Sequence, residues 1–432
     1  MIEIIHSRET ERLGAKLARI RERSVALDAD LMNRVGSIIQ DVRDRGDAAL
    51  IEYSARFDGC VMSAAELRVS EETLQRSAAR VDGQVLEALR EAIRRVRAFH
   101  ESERQDSWEV ETESGVRFGQ RLTPVQRAGL YVPGGLASYP SSVVMNVVPA
   151  QVAGVDRIVI ATPPQTLQES PAVAAAIVEL GVTEAYAIGG AQAIAALAFG
   201  TETVPRVDKI TGPGNRYVAA AKKLVFGVVG IDSIAGPSEV VVIADDNARA
   251  SFVASDLLAQ AEHGDDASAI LITTSETLAR EVAVEVAKQA RKLQRSNVFT
   301  TSLENYGAII VVDQMEEACA LASDLAPEHL EIIARDEEAV ASRIYNAGAI
   351  FFGSHTPVAA GDYLAGPNHV LPTAGAARFS SALSVNDFLK RTSILKFTAA
   401  ELDRTAPLIA ALANAEGLDA HAHSALIRLE ED

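Results

Sequence analysis

The sequence predicts an α/β protein in which two sets of alternating strands and helices follow each other along the chain. The first set covers residues 128–226 and the second covers residues 239–352. In each set, short apolar runs of strand type alternate with segments whose apolar residues recur at helical spacing. Strands that alternate with helices form βαβ units, so we expect parallel sheets.

The N-terminal part of the chain has the pattern of charged, amphipathic helices. Residues 8–23 carry Leu13, Leu17 and Ile20 on one side of such a helix. Further helices are predicted at residues 30–56 (broken near Gly46), 70–81 and 84–103. No motif in this part of the chain indicates a catalytic or binding site.

The first alternating set begins with a strand from Ala128 that ends in a glycine turn at Gly134-Gly135. Its other strands and helices are predicted at residues 157–161, 170–180, 185–188, 190–198, 209–210 and 216–226. The second set begins with the apolar run Glu239–Ala244, which is typical of a strand buried on both faces. Its later elements are predicted at 252–263, 269–273, 277–293, 308–312, 316–325, 331–334, 337–346 and 349–352. Two helices, at residues 399–415 and 420–429, are expected to close the chain.

Composition narrows the class of function. The 432 residues carry a formal net charge of −18, and an acidic surface repels phosphate backbones, so we expect no nucleic-acid partner. No apolar run reaches the length of about 20 residues that spans a bilayer, and the N-terminus does not resemble a secretory signal. Cys60 and Cys319 are isolated, which indicates two buried or free thiols rather than a disulfide. We therefore expect a cytoplasmic protein without a membrane partner.

Histidines are concentrated where the chain is polar or rich in glycine. Of the eight histidines, five lie in such stretches of the C-terminal half: His263, His329, His355, His369 and His421. Histidine exchanges a proton near neutral pH and is the commonest metal ligand. This distribution predicts a site assembled from several distant loops.

The stretch Gln260-Ala-Glu-His-Gly264 is the first candidate for a metal site. It closes a segment with helical spacing, and residues three apart lie on one face of a helix, so Gln260 and His263 are expected to share a centre. Taken alone, the stretch is better explained as a frayed helix end whose polar residues face water.

Ionisable and hydroxyl side chains also stand next to predicted strands. Glu328 and His329 follow Pro327 at the start of a strand and are candidates for an acid–base pair, although a solvated pair explains them equally well. Ser238 stands directly before the strand that starts at Glu239. Ser238 is either a functional residue whose hydroxyl faces a cleft or an ordinary loop residue.

The usual dinucleotide fingerprint G-x-G-x-x-G is absent from the sequence. Two other glycine turns precede helices, Gly189-Gly190 before Gln192 and Gly212-Pro-Gly-Asn215. The free amides at a helix N-terminus suit a phosphate, but taken singly each turn is better explained as a tight strand-to-helix connection.

Two polar segments near the C-terminus add further candidate ligands. The glycine-rich loop 361–373 contains Asp362, and the segment Glu416-Gly-Leu-Asp-Ala-His421 places a carboxylate and an imidazole across a glycine. Together with Gln260 and His263, these residues form a set of donors suited to a borderline divalent ion such as zinc.

Several of these motifs occur in one order along the chain: Tyr131-Val-Pro-Gly-Gly, Gly189-Gly-Ala-Gln, Gly212-Pro-Gly-Asn, Ala235-Gly-Pro-Ser-Glu, Gln260-Ala-Glu-His-Gly, Pro327-Glu-His-Leu, Gly361-Asp-Tyr, Asn368-His-Val-Leu-Pro-Thr and Ala415-Glu-Gly-Leu-Asp-Ala-His. In this order, and over essentially the whole chain, the sequence resembles the histidinol dehydrogenase family.

The resemblance implies a zinc-dependent oxidation of L-histidinol to L-histidine through bound L-histidinaldehyde, with two NAD, as the last step of histidine biosynthesis. It implies Glu328 and His329 as the catalytic acid–base pair. The other implied roles are zinc ligation by Gln260, His263, Asp362 and a partner subunit's His421; NAD binding by Tyr131, Gln192 and Asn215; and substrate binding by Ser238, Glu416, His329 and the zinc ligands.

The resemblance also implies a fold of two incomplete Rossmann-like domains, one inserted in the other, in an intertwined homodimer. The implied divisions are an N-terminal helical segment (1–25), a zinc-carrying and catalytic domain (26–130 and 239–383), an inserted NAD-binding domain (131–238) and a C-terminal helical dimerisation segment (384–432).

One position departs from the pattern of many family members. Val358 follows Pro357, where many relatives have glutamate. A related enzyme that oxidises another polar primary alcohol, such as sulfopropanediol, is therefore the alternative function. An assembly in which zinc only joins two subunits is a further alternative from a different class, and the intact Glu328-His329 pair argues against it.

Overall fold

The computed structural model describes residues 2–23, 28–134, 139–293 and 296–430. It contains two compact units. The larger unit combines Met1–Glu103 with Gln126–Phe388, and the smaller unit combines Arg104–Val125 with Leu389–Asp432. Gly135, part of the predicted glycine turn, and the predicted boundary at residues 25 and 26 lie outside the described residues.

The larger unit holds two six-stranded sheets. Its strands are β1 (Glu3–His6), β2 (Arg68–Val69), β5 (Arg127–Tyr131), β6 (Arg157–Thr162), β7 (Glu184–Ala187), β8 (Lys209–Thr211), β9 (Gly230–Ile231), β10 (Glu239–Ala244), β11 (Ser268–Thr273), β12 (Ala308–Val311), β13 (His329–Ile333) and β14 (Ala349–Phe352). The smaller unit contributes β3 (Trp108–Glu111), β4 (Arg117–Pro124) and β15 (Leu389–Lys396).

The helices of the larger unit connect and cover these strands. They are α1 (Thr10–Glu22), α2 (Ala29–Arg45), α3 (Asp47–Phe57), α4 (Ala64–Leu67), α5 (Glu71–Ala78), α6 (Gly83–Ser102), α7 (Pro140–Ala153), α8 (Pro164–Glu169), α9 (Pro171–Glu179), α10 (Gly190–Phe199), α11 (Arg216–Val225), α12 (Ala250–Ala261), α13 (Glu276–Ala290), α14 (Ser296–Tyr306), α15 (Met315–Leu325), α16 (Glu337–Ala341) and α17 (Val358–Tyr363).

The first sheet has the order β1-β12-β11-β10-β13-β14, with every pairing parallel. β1 forms one edge of this sheet, beside β12. From β10 the chain moves outward through β11 and β12, and then crosses to β13 on the other side of β10. This is the doubly wound order, and its reversal point lies between β10 and β13.

The second sheet repeats this order in β7-β6-β5-β8-β9, with parallel pairing. β2 adds an antiparallel strand at the edge beside β7. The reversal point lies between β5 and β8. The predicted α/β class with parallel sheets is therefore confirmed.

The first sheet is buried on both faces, as its apolar strands predict. Val240 and Val242 of β10 pack into one cluster with α12 and α13, whereas Val241 and Ile243 pack into a second cluster on the opposite face with α15. Successive side chains of a strand point to opposite faces, so a continuous apolar run fits a sheet covered by helices on both sides.

Sheet membership differs from the predicted domain boundaries. The segment 26–130 is predicted to belong with the first sheet, but β2 and β5 pair within the second sheet, and helices α2 and α3 pack in the second sheet's apolar cluster. Conversely, β1 lies in the N-terminal segment predicted to be helical and pairs with β12 of the first sheet. These pairings join residues that are far apart in the chain, which local patterns do not reveal.

The smaller unit contains an antiparallel sheet of order β15-β4-β3 and the helices α18 (Ala399–Ala415) and α19 (Asp419–Leu426). The predicted C-terminal helices are present, but the strand β15 that precedes them is not part of the predicted pattern. Across the described residues, no helix is both long and apolar enough to cross a membrane.

Candidate active site and dinucleotide-binding edge

The candidate catalytic residues lie at the amino ends of two neighbouring strands. Ser238 precedes β10, Glu328 precedes β13, and His329 is the first residue of β13. Because β10 and β13 are adjacent and parallel, with Val240 opposite His329, the two starts meet at one edge of the first sheet. The predicted position of the Glu328-His329 pair at the start of a strand is confirmed.

Helix α12 reaches the same edge. A helix that follows a parallel strand runs back along the sheet, so its C-terminal end lies at the amino ends of the strands. Gln260 is in the last turn of α12, whereas His263 lies beyond the helix end at Ala261. The prediction that both residues share a helix face is wrong in this detail: the chain leaves the helix in a turn in which the His263 N–H donates to the Gln260 carbonyl at 3.2 Å.

Glu328 is a buried carboxyl group held by a main-chain amide. Its Oε2 accepts a hydrogen bond from the Glu239 N–H at 2.9 Å. Burial raises the pKa of Glu328 to about 8, although the Glu239 amide and the charge on His263 act in the opposite direction. A carboxyl group with a pKa near neutrality can both accept and return a proton.

His329 is held by the same residue. Its Nδ1 lies 3.0 Å from the carbonyl oxygen of Glu239, and a carbonyl can only accept, so Nδ1 carries the proton. Burial lowers the pKa of His329, which favours the neutral ring. The Nε2 of that ring therefore carries a lone pair, and it lies 3.9 Å from Oδ1 of Asp362.

Asp362 lies in α17 and faces two histidines. Its Oδ1 is 3.8 Å from Nδ1 of His369 as well as near His329. Burial raises the pKa of Asp362, and the charges on His329 and His263 lower it. Burial, with the nearby His329 and His263, lowers the pKa of His369 to about 4. The sequence assigns no role to His369 and identifies it only as one of the histidines in polar stretches. The structure places it in the candidate site, because its ring lies next to Asp362.

The residues present fit a metal ion. The side chain of Gln260 is buried, and among the described residues neither its Oε1 nor its Nε2 has a hydrogen-bond partner. An unpartnered buried amide costs roughly 1–3 kcal/mol, which a ligand would offset. His263 donates from Nδ1 to the Ala259 carbonyl at 3.1 Å, so its Nε2 is free to bind a cation.

Within the described part of the chain, no three aspartate, glutamate, histidine or cysteine side chains lie close enough together to bind one metal ion. Gln260 is outside those residue types. Its amide would be an additional donor of another type.

The predicted NAD-binding residues lie at the carboxyl edge of the second sheet. Tyr131 ends β5, and its hydroxyl accepts from the Gly190 N–H at 3.0 Å. Gln192 lies in the first turn of α10, which follows β7, and Asn215 caps α11, which follows β8. Ligands of doubly wound sheets bind at this edge, beside the reversal point.

The turn before Asn215 is held by close packing and by hydrogen bonds at Gly212. Gly212 has φ +113°, and a Cβ there would clash with the Tyr131 carbonyl oxygen, so the position requires glycine. Its N–H donates to Asp232 at 2.8 Å, and its carbonyl accepts from the Lys222 ammonium at 3.1 Å. Lys222 and Asp232 are themselves a buried ion pair.

Glu416 and His421 lie in the smaller unit. Glu416 is the C-cap of α18, His421 lies in α19, and both side chains are exposed. Val358 begins α17 and packs in the apolar cluster that contains α12. Val358 is therefore a buried apolar residue, where many relatives have glutamate.

The order of both sheets and the buried carboxyl–imidazole pair are those of an α/β dehydrogenase. The family model described as histidinol dehydrogenase matches residues 21–429. A histidinol dehydrogenase of Geobacillus kaustophilus is 54% identical over 91% of this chain and 93% of its own length, and that of Geobacter sulfurreducens is 51% identical over 96% and 97%. The crystal structure of the Elizabethkingia anophelis enzyme has a TM-score of 0.91 at 37% identity and covers 96% of each chain.

The chain belongs to the histidinol dehydrogenase family, which comprises NAD-dependent oxidoreductases. The resemblance stated from the ordered motifs is confirmed.

Proposed function

We propose that this chain oxidises L-histidinol to L-histidine through bound L-histidinaldehyde, using zinc and two NAD, as the last step of histidine biosynthesis. The observation that carries the proposal is the buried Glu328-His329 pair, in which one residue, Glu239, binds both side chains through its main-chain N–H and its main-chain carbonyl. The family membership supports the substrate and the use of NAD.

His329 takes the proton of the alcohol in the first oxidation. Its Nδ1 proton is bound to the Glu239 carbonyl, so Nε2 is the nitrogen that can accept. The hydroxyl proton of histidinol moves to Nε2 while a hydrogen of the same carbon leaves with its electron pair. The C–O single bond becomes the carbonyl of the aldehyde, and a neutral imidazole is the form that can start this step.

Glu328 activates water in the second oxidation. Its carboxylate takes a proton from a water molecule whose oxygen bonds to the aldehyde carbon, which gives the hydrate. Loss of the second hydride and of one hydroxyl proton from the hydrate yields the carboxylic acid, which releases a further proton to solvent to give the carboxylate of histidine. The buried position that raises the pKa of Glu328 to about 8 also makes it a strong enough base for this role.

Gln260, His263 and Asp362 would hold the zinc ion, with the partner subunit's His421 as a further ligand. The unpartnered amide of Gln260 and the free Nε2 of His263 support this set. Zinc would orient the imidazole and amino nitrogens of the substrate and act as a Lewis acid. Ser238, Glu416 and His329 would complete the contacts to the substrate.

Tyr131, Gln192 and Asn215 would bind NAD, which accepts the hydride. Their position at the carboxyl edge of the second sheet, beside the reversal of strand order, supports this assignment. The two oxidations share one site, so the first NADH must leave before the second NAD binds.

We extend the proposal to the assembly and its location. The strands of the second sheet all lie between β1 and β10 in the chain, which supports a domain inserted into another. Exposed apolar side chains of α18, Leu408 and Leu412, support a homodimer in which the C-terminal segment joins the subunits. The free thiols Cys60 and Cys319 suit a reducing cytoplasm.

A substrate panel tests the proposed function. Zinc-loaded enzyme should reduce NAD with L-histidinol and L-histidinaldehyde far faster than with other polar primary alcohols. Rapid turnover of sulfopropanediol or a similar alcohol, with little activity on histidinol, would contradict the proposal. It would also identify the position of Val358 as a mark of a different substrate.

A further inference from the structure

Arg23 brings a buried positive charge to the edge of the first sheet that carries the candidate catalytic residues. It is the C-cap of α1, and only 2% of its side chain is exposed. A guanidinium so deeply buried must have its N–H groups bound, because an unpaired buried charge is strongly destabilising.

The guanidinium of Arg23 binds the starts of two adjacent strands. Its Nη2 lies 2.8 Å from Oε1 of Glu239, the first residue of β10. Its Nη1 donates to the carbonyl of Ser238 at 3.4 Å and to the carbonyl of Asp266, which lies before β11. Its Nε donates to the Ile20 carbonyl at 3.1 Å, and the group lies 5.6 Å from the centre of the Tyr306 ring.

Glu239 is also the residue that fixes both members of the candidate acid–base pair. Its N–H donates to Glu328 at 2.9 Å, and its carbonyl accepts from Nδ1 of His329 at 3.0 Å. Arg23 holds the side chain of Glu239 and the carbonyl of Ser238 directly before it. The peptide groups on both sides of this residue are therefore tied to the guanidinium or to the catalytic pair.

The charges of Arg23, Glu239 and Glu328 favour the ion pair between Arg23 and Glu239. Burial raises the pKa of Glu239 to about 7, Arg23 lowers it, and Glu328 raises it. Two buried carboxyl groups thus lie near one buried cation. Arg23 stabilises the ionised form of Glu239 and so keeps this carboxylate bound to the guanidinium.

We propose that Arg23 is a positioning residue for the oxidation of histidinol, which acts through Glu239 to hold Glu328 and His329 in place. The inference rests on the proposed roles of Glu328 and His329. Arg23 is distant in sequence from these residues. It interacts with Glu328 directly only through its charge, whereas its hydrogen bonds connect it to the pair through Glu239.

Arg23→Met tests the proposal, because methionine retains the length and apolar stem of the side chain but loses the fork of donors. Arg19→Met is the matched control. Arg19 lies one turn earlier in α1 and also stacks near Tyr306, at 5.8 Å, but its guanidinium binds the side chain of Asn305 instead of the strand starts.

We expect Arg23→Met to lower kcat by roughly 10- to 100-fold, since small displacements of catalytic groups cost up to about 10²-fold. The KM for NAD and the zinc content should stay unchanged, because the hydrogen bonds of Arg23 within the described residues involve none of the proposed NAD or zinc residues. Arg19→Met should retain the kcat of the wild type. Equal kcat in Arg23→Met and wild type would overturn the proposal.

Chemical rescue separates positioning from simple stabilisation of the fold. Arg23→Ala leaves a space of guanidinium size, so millimolar guanidinium chloride should restore part of its kcat, with no effect on Arg19→Ala. If Arg23→Ala loses activity only in proportion to a loss of folded protein and guanidinium does not restore it, Arg23 is structural and the inference fails.

Glu328→Gln, measured in parallel, distinguishes the failure of this inference from failure of the proposed function. If Glu328→Gln is inactive while Arg23→Met has full kcat, the role of Arg23 alone is rejected. If Glu328→Gln oxidises histidinol to histidine at the wild-type rate, the proposed function itself is rejected, and the inference about Arg23 with it.

Discussion

The Nδ1 of His329 donates a hydrogen bond to the carbonyl oxygen of Glu239 over 3.0 Å. This single contact decides which tautomer the imidazole adopts, because the carbonyl has no proton to offer. It leaves Nε2 as the basic nitrogen, on the side of the ring that faces Asp362. The backbone of β10 thereby sets the direction in which His329 can take a proton.

The distinct roles of Glu328 and His329 lead to a prediction about partial reactions. Glu328→Gln retains size and hydrogen bonding but cannot accept a proton, so it should stop the second oxidation. It should still allow one hydride transfer, seen as a burst of about one NADH per site. His329→Asn should also slow the first step, by roughly 10²- to 10⁴-fold.

Supplied histidinaldehyde gives the control for this prediction. The aldehyde bypasses the first oxidation, so it should restore the rate of His329→Asn far better than that of Glu328→Gln. The opposite pattern would exchange the two roles. Equal restoration would mean that neither residue acts as an independent base.

The unpartnered amide of Gln260 leads to a prediction about metal binding. Gln260→Leu should lose bound zinc, measured as metal content after dialysis. Without metal, the variant should unfold at the same or a higher temperature than the wild-type apoprotein, because it no longer buries an unsatisfied amide worth roughly 1–3 kcal/mol. The exposed Gln75→Leu is the control and should bind zinc normally. Full zinc content in Gln260→Leu would remove Gln260 from the ligand set.

The proposed contribution of His421 from a partner subunit predicts complementation. His421→Ala and His263→Ala should each be inactive alone. When the two variants exchange subunits, one site of each mixed dimer has every ligand and some activity should return. Absence of recovery after subunit exchange has been verified by mass would place His421 in its own subunit's site.

The buried carboxyl pair of Asp256 and Glu331 predicts how stability depends on pH. Burial and the adjacent Asp256 raise the pKa of Glu331 to about 9. From about pH 5 to pH 9 the folded state then holds a proton that the unfolded state has lost, so stability falls as pH rises. Glu331→Gln cannot ionise and should show a smaller fall in melting temperature over this range.

The exposed Glu338→Gln is the matched control for this pair and should follow the wild-type pH dependence. A melting temperature whose pH dependence is identical in wild type and Glu331→Gln would show that Glu331 does not hold a proton in the folded state.

Local patterns predicted the central strands well, and for a physical reason. The strand Glu239–Ala244 and the helix Ala399–Ala415 have the predicted bounds. The predicted break near Gly46 is also present, where φ is +53° and α2 gives way to α3. Apolar runs and glycines at left-handed positions are local properties that the sequence displays directly.

Strands with little apolar content escaped prediction. β3 (Trp-Glu-Val-Glu) alternates apolar and polar residues, but over only four exposed positions. β15 is mostly exposed and shows no such alternation. β1 is only four residues long and depends on its pairing with β12.

The sequence predicted the candidate site's side chains but not the main-chain and packing contacts that hold them in place. Glu328, His329 and Gln260 carry recognisable side-chain chemistry in short motifs. By contrast, the contribution of Arg23 depends on α1 packing beside β10, and that of Glu239 depends on its backbone. A main-chain carbonyl has no sequence motif, so only the fold reveals what it binds.

The ratio of NADH formed to L-histidinol consumed tests the central claim most directly. Limiting histidinol, excess NAD and zinc-loaded enzyme should give two NADH per histidinol, with L-histidine as the product and no aldehyde released. One NADH per histidinol, with histidinaldehyde accumulating in solution, would contradict the proposed oxidation of an alcohol to an acid in a single site.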